Sequence, residues 1–284
     1  MIDGIAGLWC VNIGHGRREM IEAIATQLQT LDYYSTFYNF THPTAAALSE
    51  KLAQLAPGDL NAVYFGNSGS VANDSAIRIL HHYNIRKGRP NKLKVLSRHG
   101  AYHGSTHLSM AMTTPGYSEG WTAASELVHH LRAPHFWREG GEMTEAEFLD
   151  ALAEDLTSGY QPMSATIVSD EIHDVISGPD GMFLHGMTYS GHPAAAALTN
   201  IAIMEREGIP KRVRTTGAYF ERKLRGLSDI KLVGEVRGSH FMIGLEFVKD
   251  RATKESHAPE AEVGLKVARA CQKRGLIARP LAMS

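Results

Sequence analysis

The sequence predicts a protein of the α/β class, in which helices flank a mainly parallel sheet and a small C-terminal α+β domain follows. The first observation is that segments with helical and strand periodicity alternate along most of the 284 residues. The second is a short apolar strand that runs into a Gly/Ser turn and then a helix, AVYFGNSGS at residues 62–70. The third is the length, which is enough for about two domains. We therefore predict an N-terminal segment at 1–40, a large domain at 41–194 and an α+β domain at 195–284.

Apolar stripes at helical spacing predict helices at residues 17–31, 43–56 and 71–85. The positions that define these stripes are Met20, Ile21, Ile24 and Leu28, then Leu48, Leu52 and Leu55, then Ile77 and Leu80. We expect the second and third stripes to face a core. A further strand is predicted at 93–99.

Helices and strands also alternate in the second half of the chain. Thr144 and Glu147 form a capping-box pattern at the start of a helix over 143–156. The other predicted elements are a strand and helix start at 163–172, helices at 192–208, 211–227 and 261–274, and strands at 230–236 and 240–248. No strand is predicted between 99 and 164, so the strands are fewer than a doubly wound parallel sheet of this size would contain.

The composition argues against several classes of partner. A net charge of −1 and a pI near 7.0 favour neither nucleic acid nor an anionic membrane surface. The two cysteines, Cys10 and Cys271, are too few for a disulfide framework and fit a reducing compartment. Because the sequence has no leader pattern and no long apolar run, we expect a cytoplasmic protein.

The turn at Ser68, Gly69 and Ser70 is the strongest local signal for a binding site. A helix that starts directly after a strand presents backbone N–H groups and the positive end of the helix dipole, and both favour an anion. Gly69 would let a phosphate approach the backbone closely, and the serine hydroxyls add donors. The alternative interpretation is that Ser70 only caps the helix.

Other catalytic patterns do not fit the spacing of the residues. No Gly-Lys-Ser/Thr follows the turn, as a P-loop would require, and the Gly-His-Gly stretch at 14–16 has Glu19 where a dinucleotide-binding pattern has glycine. The fifteen histidines include the pairs His81–His82 and His129–His130. Adjacent residues of a helix point to different faces, and no HExxH pattern accompanies them, so we expect no catalytic metal.

Eight stretches carry a resemblance to a known family: GLWCVNIGHG, YYSTFYNFTHP, NSGSVAND, AYHGST, TSGYQPMSATIVSDEI, GMTYSGHP, VGEVRGSHFMIGLEFV and GLIARPL. In this order they resemble the class III aminotransferases, specifically the pyruvate-dependent omega-aminotransferases. The resemblance implies the fold of the fold-type I transferases and pyridoxal 5′-phosphate as cofactor. Such a site must anchor the cofactor's phosphate, hold its ring, keep its pyridinium nitrogen protonated and link its aldehyde to a lysine.

Several residues match cofactor-contacting positions of that family, namely Ser68, Gly69, Ser70, Tyr102, His103 and Thr188. The resemblance implies that the turn binds the phosphate and that Tyr102 stacks on the ring, with His103 in the same segment. The alternative for Tyr102 is a core aromatic residue with a hydrated hydroxyl. Thr188 would reach the cofactor phosphate of a second subunit, which implies a homodimer with shared active sites. On its own pattern, Thr188 would be an ordinary turn residue.

Three residues match the family's substrate pocket, which accepts an amine and a keto acid. Trp9 and Tyr38 would form apolar walls. Arg279 would pair with the carboxylate of pyruvate or alanine and withdraw for an uncharged amine. The alternative for Arg279 is a solvated surface arginine.

The chain departs from the family pattern at its centre. The Schiff-base lysine should stand just before Thr157, but Asp155 and Leu156 precede it, and no lysine occurs between Lys94 and Lys211. The aspartate that pairs with the pyridinium nitrogen falls in the same absent stretch, which would lie between 156 and 157. The C-terminal domain also stops short of the family pattern. The sequence itself therefore offers no catalytic residue for the central step.

Two details of this departure stay open in the sequence. Asp170 ends an apolar strand and imitates the pyridinium partner, but the flanking residues indicate a helix cap instead. Val71 stands where the family has a glutamate. Either the sequence omits residues of a longer working aminotransferase, or the chain is a catalytically inactive truncated homologue that binds the cofactor or acts as a structural dimer partner.

Overall fold

The computed structural model describes residues 1–37, 40–149, 165–178, 185 and 194–280. The chain forms two compact units. The larger unit is Ile24–Leu198, and the smaller unit combines Met1–Ala23 with Thr199–Ser284. The predicted domain boundaries at 40/41 and 194/195 stay predictions.

Helices and strands alternate through both units. The helices are α1 Ala6–Trp9, α2 Arg18–Thr30, α3 Pro43–Leu55, α4 Gly69–Arg86, α5 His107–Met112, α6 Phe136–Glu139, α7 Asp170–Ser177, α8 Ala194–Arg206, α9 Ile209–Arg225 and α10 Val263–Lys273. The strands are β1 Ile2–Asp3, β2 Leu60–Phe65, β3 Val95–Arg98, β4 Val128–Leu131, β5 Ala165–Ser169, β6 Val233–Ser239, β7 Met242–Asp250, β8 Glu255–Ser256 and β9 Leu276–Ile277.

The described strands of the larger unit form two pairs. β3 and β4 are parallel, with Val95 opposite Val128 and Arg98 opposite Leu131. β2 and β5 are antiparallel, so that the end of β5 lies beside the start of β2. The expectation of no strand between 99 and 164 is wrong, because β4 lies there. Two of its four residues are histidines, so it lacks an apolar pattern and is recognisable only through its pairing with β3.

The core of the larger unit lies between α4, α7 and the β2–β5 pair. Ile79, Val168 and Ile176 are buried together there. Ile77 is buried as predicted, but Leu80 and Leu55 are exposed. Leu55 is the last residue of α3, where the helix leaves the strand it packs on, and Ile79 takes the core position that was predicted for Leu80.

A helix also starts after Thr144, as predicted. The Thr144 hydroxyl accepts from the Glu147 N–H at 3.3 Å, and the Glu147 carboxylate accepts from the Thr144 N–H at 2.7 Å. These reciprocal bonds are the predicted capping box. Residues 150–156 of the predicted helix lie outside the described residues.

The smaller unit contains the antiparallel sheet β6–β7–β8 and the parallel pair β1–β9. α9 begins two residues earlier than predicted, since Gly208 adopts a left-handed conformation (φ 59°) and Pro210 fits the first helical turn. The apolar stripe of α2 is at the surface, because Ile21, Ile24 and Leu28 are all exposed. Among the helices in the described ranges, none has the length and apolar content to cross a bilayer.

Candidate functional site

The turn between β2 and α4 is built by Ser68. Its backbone is extended (φ −160°, ψ 159°), and its Oγ accepts from the Val71 N–H at 3.2 Å. Ser68 is therefore the N-cap of an 18-residue helix that begins at Gly69. Ser70 is the second helical residue, so the alternative that Ser70 caps the helix is wrong.

The N-terminus of α4 remains open to an anion. The backbone N–H groups of Gly69 and Ser70 have no acceptor among the described residues. The first turn carries no acidic side chain, because Val71 occupies a position where a carboxylate would have been favourable for the helix. The positive end of the helix dipole is thus not compensated by the helix itself.

The loop after β3 is fastened onto the first two turns of α4. The Asn73 Nδ2 donates to the His103 carbonyl at 2.6 Å, and the Ser105 N–H donates to the Ser70 Oγ at 3.2 Å. The Thr106 hydroxyl donates to the Asp74 carboxylate at 2.7 Å. These bonds bring the predicted residues Tyr102 and His103 beside the Ser68–Ser70 turn.

The sequence reasoning missed the residues that make this attachment, Asn73, Asp74 and Thr106. A signal was present in the sequence, because Ser70, Asn73 and Asp74 are spaced three and four positions apart and share one face of a helix. Nothing in the sequence indicated which loop this polar face would contact.

Tyr102 lies at the surface of the unit. Its side chain is 61% exposed, its hydroxyl is 2.7 Å from the Ser105 Oγ, and the Tyr117 ring meets it edge-on at 5.8 Å. The alternative of a core aromatic residue is therefore wrong. The exposed ring offers a flat apolar face for stacking.

His103, the next residue, is half-buried. Burial lowers the pKa of its imidazole, and the nearby His130 lowers it further, so the uncharged form is favoured. The Nε2 of His130 lies 3.3 Å from the Met112 carbonyl and 3.2 Å from the Thr113 carbonyl, while the Nε2 of His81 lies 2.8 Å from the Leu93 carbonyl. Backbone carbonyls thus occupy one ring nitrogen in each of the two histidine pairs.

Asp170 is not the N-cap of α7, contrary to the prediction. Ser169 is the cap, and its Oγ accepts from the Ile172 N–H at 3.4 Å, whereas Asp170 is the first helical residue. A serine hydroxyl reaches the third N–H after it from the extended backbone that precedes a helix, so the residue before Asp170 has the capping geometry.

The position of Asp170 nevertheless agrees with the prediction that it is not the cofactor's partner. Ser169 lies opposite Leu60 at the start of β2, and the Asn61 Nδ2 donates to the Asp170 carboxylate at 3.1 Å. The Ser68–Ser70 turn follows the other end of β2. That end is about 20 Å away, because β2 has six residues.

Trp9 and Arg279 belong to the smaller unit, and both are exposed. Trp9 follows β1 in the chain and Arg279 follows β9, and these two strands pair in parallel, with the Gly4 N–H donating to the Ile277 carbonyl at 3.0 Å. Trp9 has a left-handed backbone (φ 67°), which is uncommon for a bulky residue. Tyr38 and Thr188 lie outside the described residues.

The larger unit has four lysines, and none of them lies beside the phosphate turn. Lys87 caps the far end of α4, about 27 Å along an 18-residue helix. Lys92 and Lys94 are near that same end, because the Asn84 Nδ2 donates to the Lys92 carbonyl at 3.5 Å. Lys51 lies towards the end of α3, which connects to the start of β2.

The whole chain matches the family described as aminotransferase class-III, in two stretches, residues 1–152 and 149–284. It is 31% identical to the putrescine–pyruvate aminotransferase of Pseudomonas aeruginosa, with 98% of this chain and 80% of the relative aligned. It is 32% identical to the diaminobutyrate–2-oxoglutarate transaminase of Halomonas elongata, with 99% and 79% aligned.

Solved structures of transaminases have the same fold. An (S)-enantioselective omega-transaminase from Thermomicrobium roseum superposes with a TM-score of 0.92 at 30% identity, over 99% of this chain and 82% of that one. The aminotransferase of Vibrio fluvialis in its pyridoxamine-phosphate-bound form gives a TM-score of 0.91 at 27% identity, over 99% and 81%. These likenesses confirm the predicted fold-type I class.

The relatives contain residues that this chain lacks. The alignment with the Halomonas relative is 372 residues long and this chain has 284, so at least 88 positions (372 less 284) face no residue of this chain. The two stretches of the family match meet at 149–152, a few residues before the predicted break between 156 and 157.

The described residues fit part of a pyridoxal 5′-phosphate molecule. The open N–H groups at Gly69 and Ser70 suit its phosphate, and the exposed face of Tyr102 suits its ring. An amine for its aldehyde is not found near the turn in the described part of the larger unit. With the family match over its full length, this chain belongs to the class-III aminotransferases, the transferases that use pyridoxal 5′-phosphate.

Proposed function

We propose that the site of this chain serves the transfer of an amino group from a primary amine or ω-amino acid to pyruvate. The observation that carries the proposal is the Ser68–Ser70 turn, an uncompensated helix N-terminus beside the exposed ring of Tyr102. Pyruvate as acceptor is supported by the relative from Pseudomonas aeruginosa, whose name includes that acceptor. The parallel pairing of β1 and β9, which precede Trp9 and Arg279 in the chain, supports a pocket for a carboxylate next to an apolar group.

Each cofactor-holding residue has a role that follows from its position. The N–H groups of Gly69 and Ser70 would donate to phosphate oxygens, and the helix dipole would favour the phosphate's charge. The ring of Tyr102 would stack on the cofactor ring. Burial lowers the pKa of His103, the residue after Tyr102, which favours the uncharged imidazole in this segment. When bound, pyridoxal phosphate supplies the electron-withdrawing ring that makes transfer of the amino group feasible.

The roles of three further residues follow from the resemblance. By the resemblance, Arg279 would pair with the carboxylate of pyruvate, and Trp9 and Tyr38 would form apolar walls that accept the amine. Thr188 would reach the cofactor phosphate of a second copy, so we include a homodimer in the proposal. The exposed apolar side chains of α2 support a surface that another chain covers. A molar mass from light scattering equal to a single chain would contradict this part.

A second candidate function applies to the 284 residues without the relatives' extra segment. At least 88 relative positions have no counterpart, and the larger unit's lysines lie away from the turn. Without a lysine at the turn, the described part of the larger unit offers no amine that could hold the cofactor covalently and move the substrate's proton. Such a chain binds the cofactor reversibly and does not turn over.

One set of measurements separates the two candidates. Intact mass shows whether the isolated protein is heavier than 31.1 kDa and so contains further residues. Purified protein with pyridoxal phosphate, putrescine and pyruvate is then assayed for alanine, with 2-oxoglutarate as the alternative acceptor. Alanine formation together with a borohydride-stable cofactor adduct supports the first candidate. Preference for 2-oxoglutarate contradicts pyruvate as acceptor.

The second candidate has its own signature. A protein of 31.1 kDa should bind the cofactor reversibly, form no borohydride-stable adduct at a single lysine and produce no alanine. Turnover by a protein of that mass would contradict it. Absence of any cofactor binding would contradict both candidates.

A further inference from the structure

Two consecutive residues that follow α5, Thr113 and Thr114, form hydrogen bonds with the main chain before and after Tyr102. The Thr114 N–H donates to the Ala101 carbonyl at 2.9 Å, on the N-terminal side of Tyr102. On its C-terminal side, the Thr113 Oγ1 accepts from the His103 N–H at 3.0 Å and from the Gly104 N–H at 3.2 Å. The main chain on either side of Tyr102, the proposed stacking residue, is therefore anchored to the segment that follows α5.

The Thr113 hydroxyl is fully used and hidden from solvent. Its side chain is 1% exposed, and its proton can go to the Gly104 carbonyl at 3.0 Å or to the Ser109 carbonyl at 3.1 Å. A hydroxyl offers one donor and two acceptor positions, and all three have partners here. Because water cannot reach this position, removing the oxygen would leave two buried N–H groups without an acceptor.

The segment that Thr113 holds has little freedom to move towards α4. Gly104 has a φ of +136°, and a Cβ there would lie 2.5 Å from both the Ser70 Oγ and the Ser109 Oγ. Ser70 belongs to the phosphate turn, so the distance between that turn and Tyr102 depends on where Gly104 sits. The Thr113 hydroxyl holds Gly104 through both its N–H and its carbonyl.

We propose that Thr113 is a positioning residue for the cofactor, which sets the place of Tyr102 relative to the phosphate turn without touching the cofactor. This inference rests on the proposed function of the turn. Through the Thr113 hydroxyl, the segment after α5 controls cofactor affinity. Neither the family match nor the sequence pattern indicated this role of Thr113. The substitution Thr113→Val keeps the shape of the side chain and removes only the oxygen.

The test measures binding of pyridoxamine 5′-phosphate by calorimetry to the whole protein. This probe carries the phosphate and the ring but no aldehyde, so surface lysines cannot react with it. Thr113→Val should raise the Kd about tenfold, the equivalent of one lost hydrogen bond in a positioned site. Thr113→Ser keeps the hydroxyl and should restore the Kd to within twofold of the unaltered protein.

Thr166→Val is the matched control. Thr166 is also buried, and its hydroxyl donates to the Ala72 carbonyl of α4 at 2.9 Å and not to the loop that carries Tyr102. It should lose thermal stability as Thr113→Val does but keep its Kd within twofold. The induced circular dichroism of the bound probe should change only in Thr113→Val, because it reports the ring's surroundings.

Three results would overturn the inference. The first is a Thr113→Val Kd equal to that of the unaltered protein, and the second is an equal rise in Thr166→Val. The third needs no variant: rapid amide hydrogen exchange at His103 and Gly104 would mean that Thr113 does not hold them. If the unaltered protein binds neither the probe nor inorganic phosphate, the proposed function of the turn is wrong, and this inference is wrong with it.

Discussion

Two turns of the larger unit have the same local design and opposite electrostatics. Ser68 follows β2 and caps α4, and Ser169 follows β5 and caps α7. Because β2 and β5 are antiparallel, the two helix starts lie at opposite ends of one strand pair. The first turn of α4 has no acidic residue, whereas Asp170 and Glu171 open α7.

The difference indicates what would distinguish the proposed binding turn from a purely structural one. At α7 the protein's own carboxylates satisfy the helix dipole, and Glu171 also accepts from the Tyr83 hydroxyl at 2.5 Å. At α4 the dipole and two N–H groups are left for a ligand. The serine cap is common to both turns and carries no information about function. The charge of the residues that follow the cap does carry such information.

The largest effect is expected from making α4 resemble α7. Gly69→Asp places a carboxylate in the first turn, where it repels a phosphate within a few ångströms. Affinity for pyridoxamine 5′-phosphate should fall on the order of a hundredfold, while the free energy of unfolding rises by about 0.5 kcal/mol because the dipole is compensated. Calorimetry and urea unfolding measure the two quantities.

Gly69→Asn is the matched control for that variant, because it has the shape of aspartate without its charge. It should keep most of the affinity. An equal loss in both variants would mean that shape and not charge decides binding, and the contrast between the two turns would not explain function.

The second effect concerns the contact between the loop and α4. Gly104→Ala combines a positive φ with a Cβ that meets two hydroxyl oxygens at 2.5 Å, so it should destabilise the protein by about 3 kcal/mol. Gly116→Ala also has a positive φ (+108°) but nothing within 4 Å, and should cost about 1 kcal/mol. Urea unfolding of both variants gives the difference, and equal losses would rule out the close packing of the loop on Ser70.

The third effect compares the caps directly. Ser68→Ala and Ser169→Ala each remove one capping bond and should each lower the free energy of unfolding by about 1 kcal/mol. Only Ser68→Ala should also weaken binding of pyridoxamine 5′-phosphate, by a few-fold. If Ser169→Ala weakened binding as much, the two turns would not be functionally distinct.

The smallest effect is a difference in pH response. Burial lowers the pKa of His103, so the unfolded chain takes up its proton first, near the ordinary value of about 6.5, and stability declines as the pH falls below it. The Tyr83 hydroxyl and then Lys87 lower the pKa of Glu171, so its contribution is present above about 4.5 and is lost only as the pH falls through its folded value.

Urea unfolding between pH 7.5 and 3.5 tests this order. His103→Gln should flatten the decline that begins near pH 6.5, although burial also lowers the pKa of His185, which contributes in the same window. Glu171→Gln should change the slope of stability with pH only below about pH 4.5, where the Glu171 contribution is otherwise lost. A His103→Gln protein with an unchanged slope would mean that the imidazole is not held neutral.

Local patterns predicted most of the elements but fewer of their surroundings. The helix starts at Thr144 and after Ser68 follow from capping chemistry, which involves neighbours in sequence only. The four-residue β4 was missed, since its strand character depends on pairing with β3. Leu80 and Leu55 were assigned to the core because periodicity identifies an apolar stripe but not which of its members meet a neighbour.

The same division applies to the candidate site. The sequence by itself determined the family, a Gly/Ser turn between a strand and a helix, and the absence of a lysine where the family needs one, because these depend on residue identity and spacing along the chain. Only the tertiary structure decided that Asn73 and Asp74 fasten the Tyr102 loop to the start of α4, that Thr113 holds the loop from the end of α5, and that Asp170 lies at the far end of β2. Hydrogen bonds between residues 10, 30 and 32 positions apart, like strand register, follow from packing that no local pattern encodes.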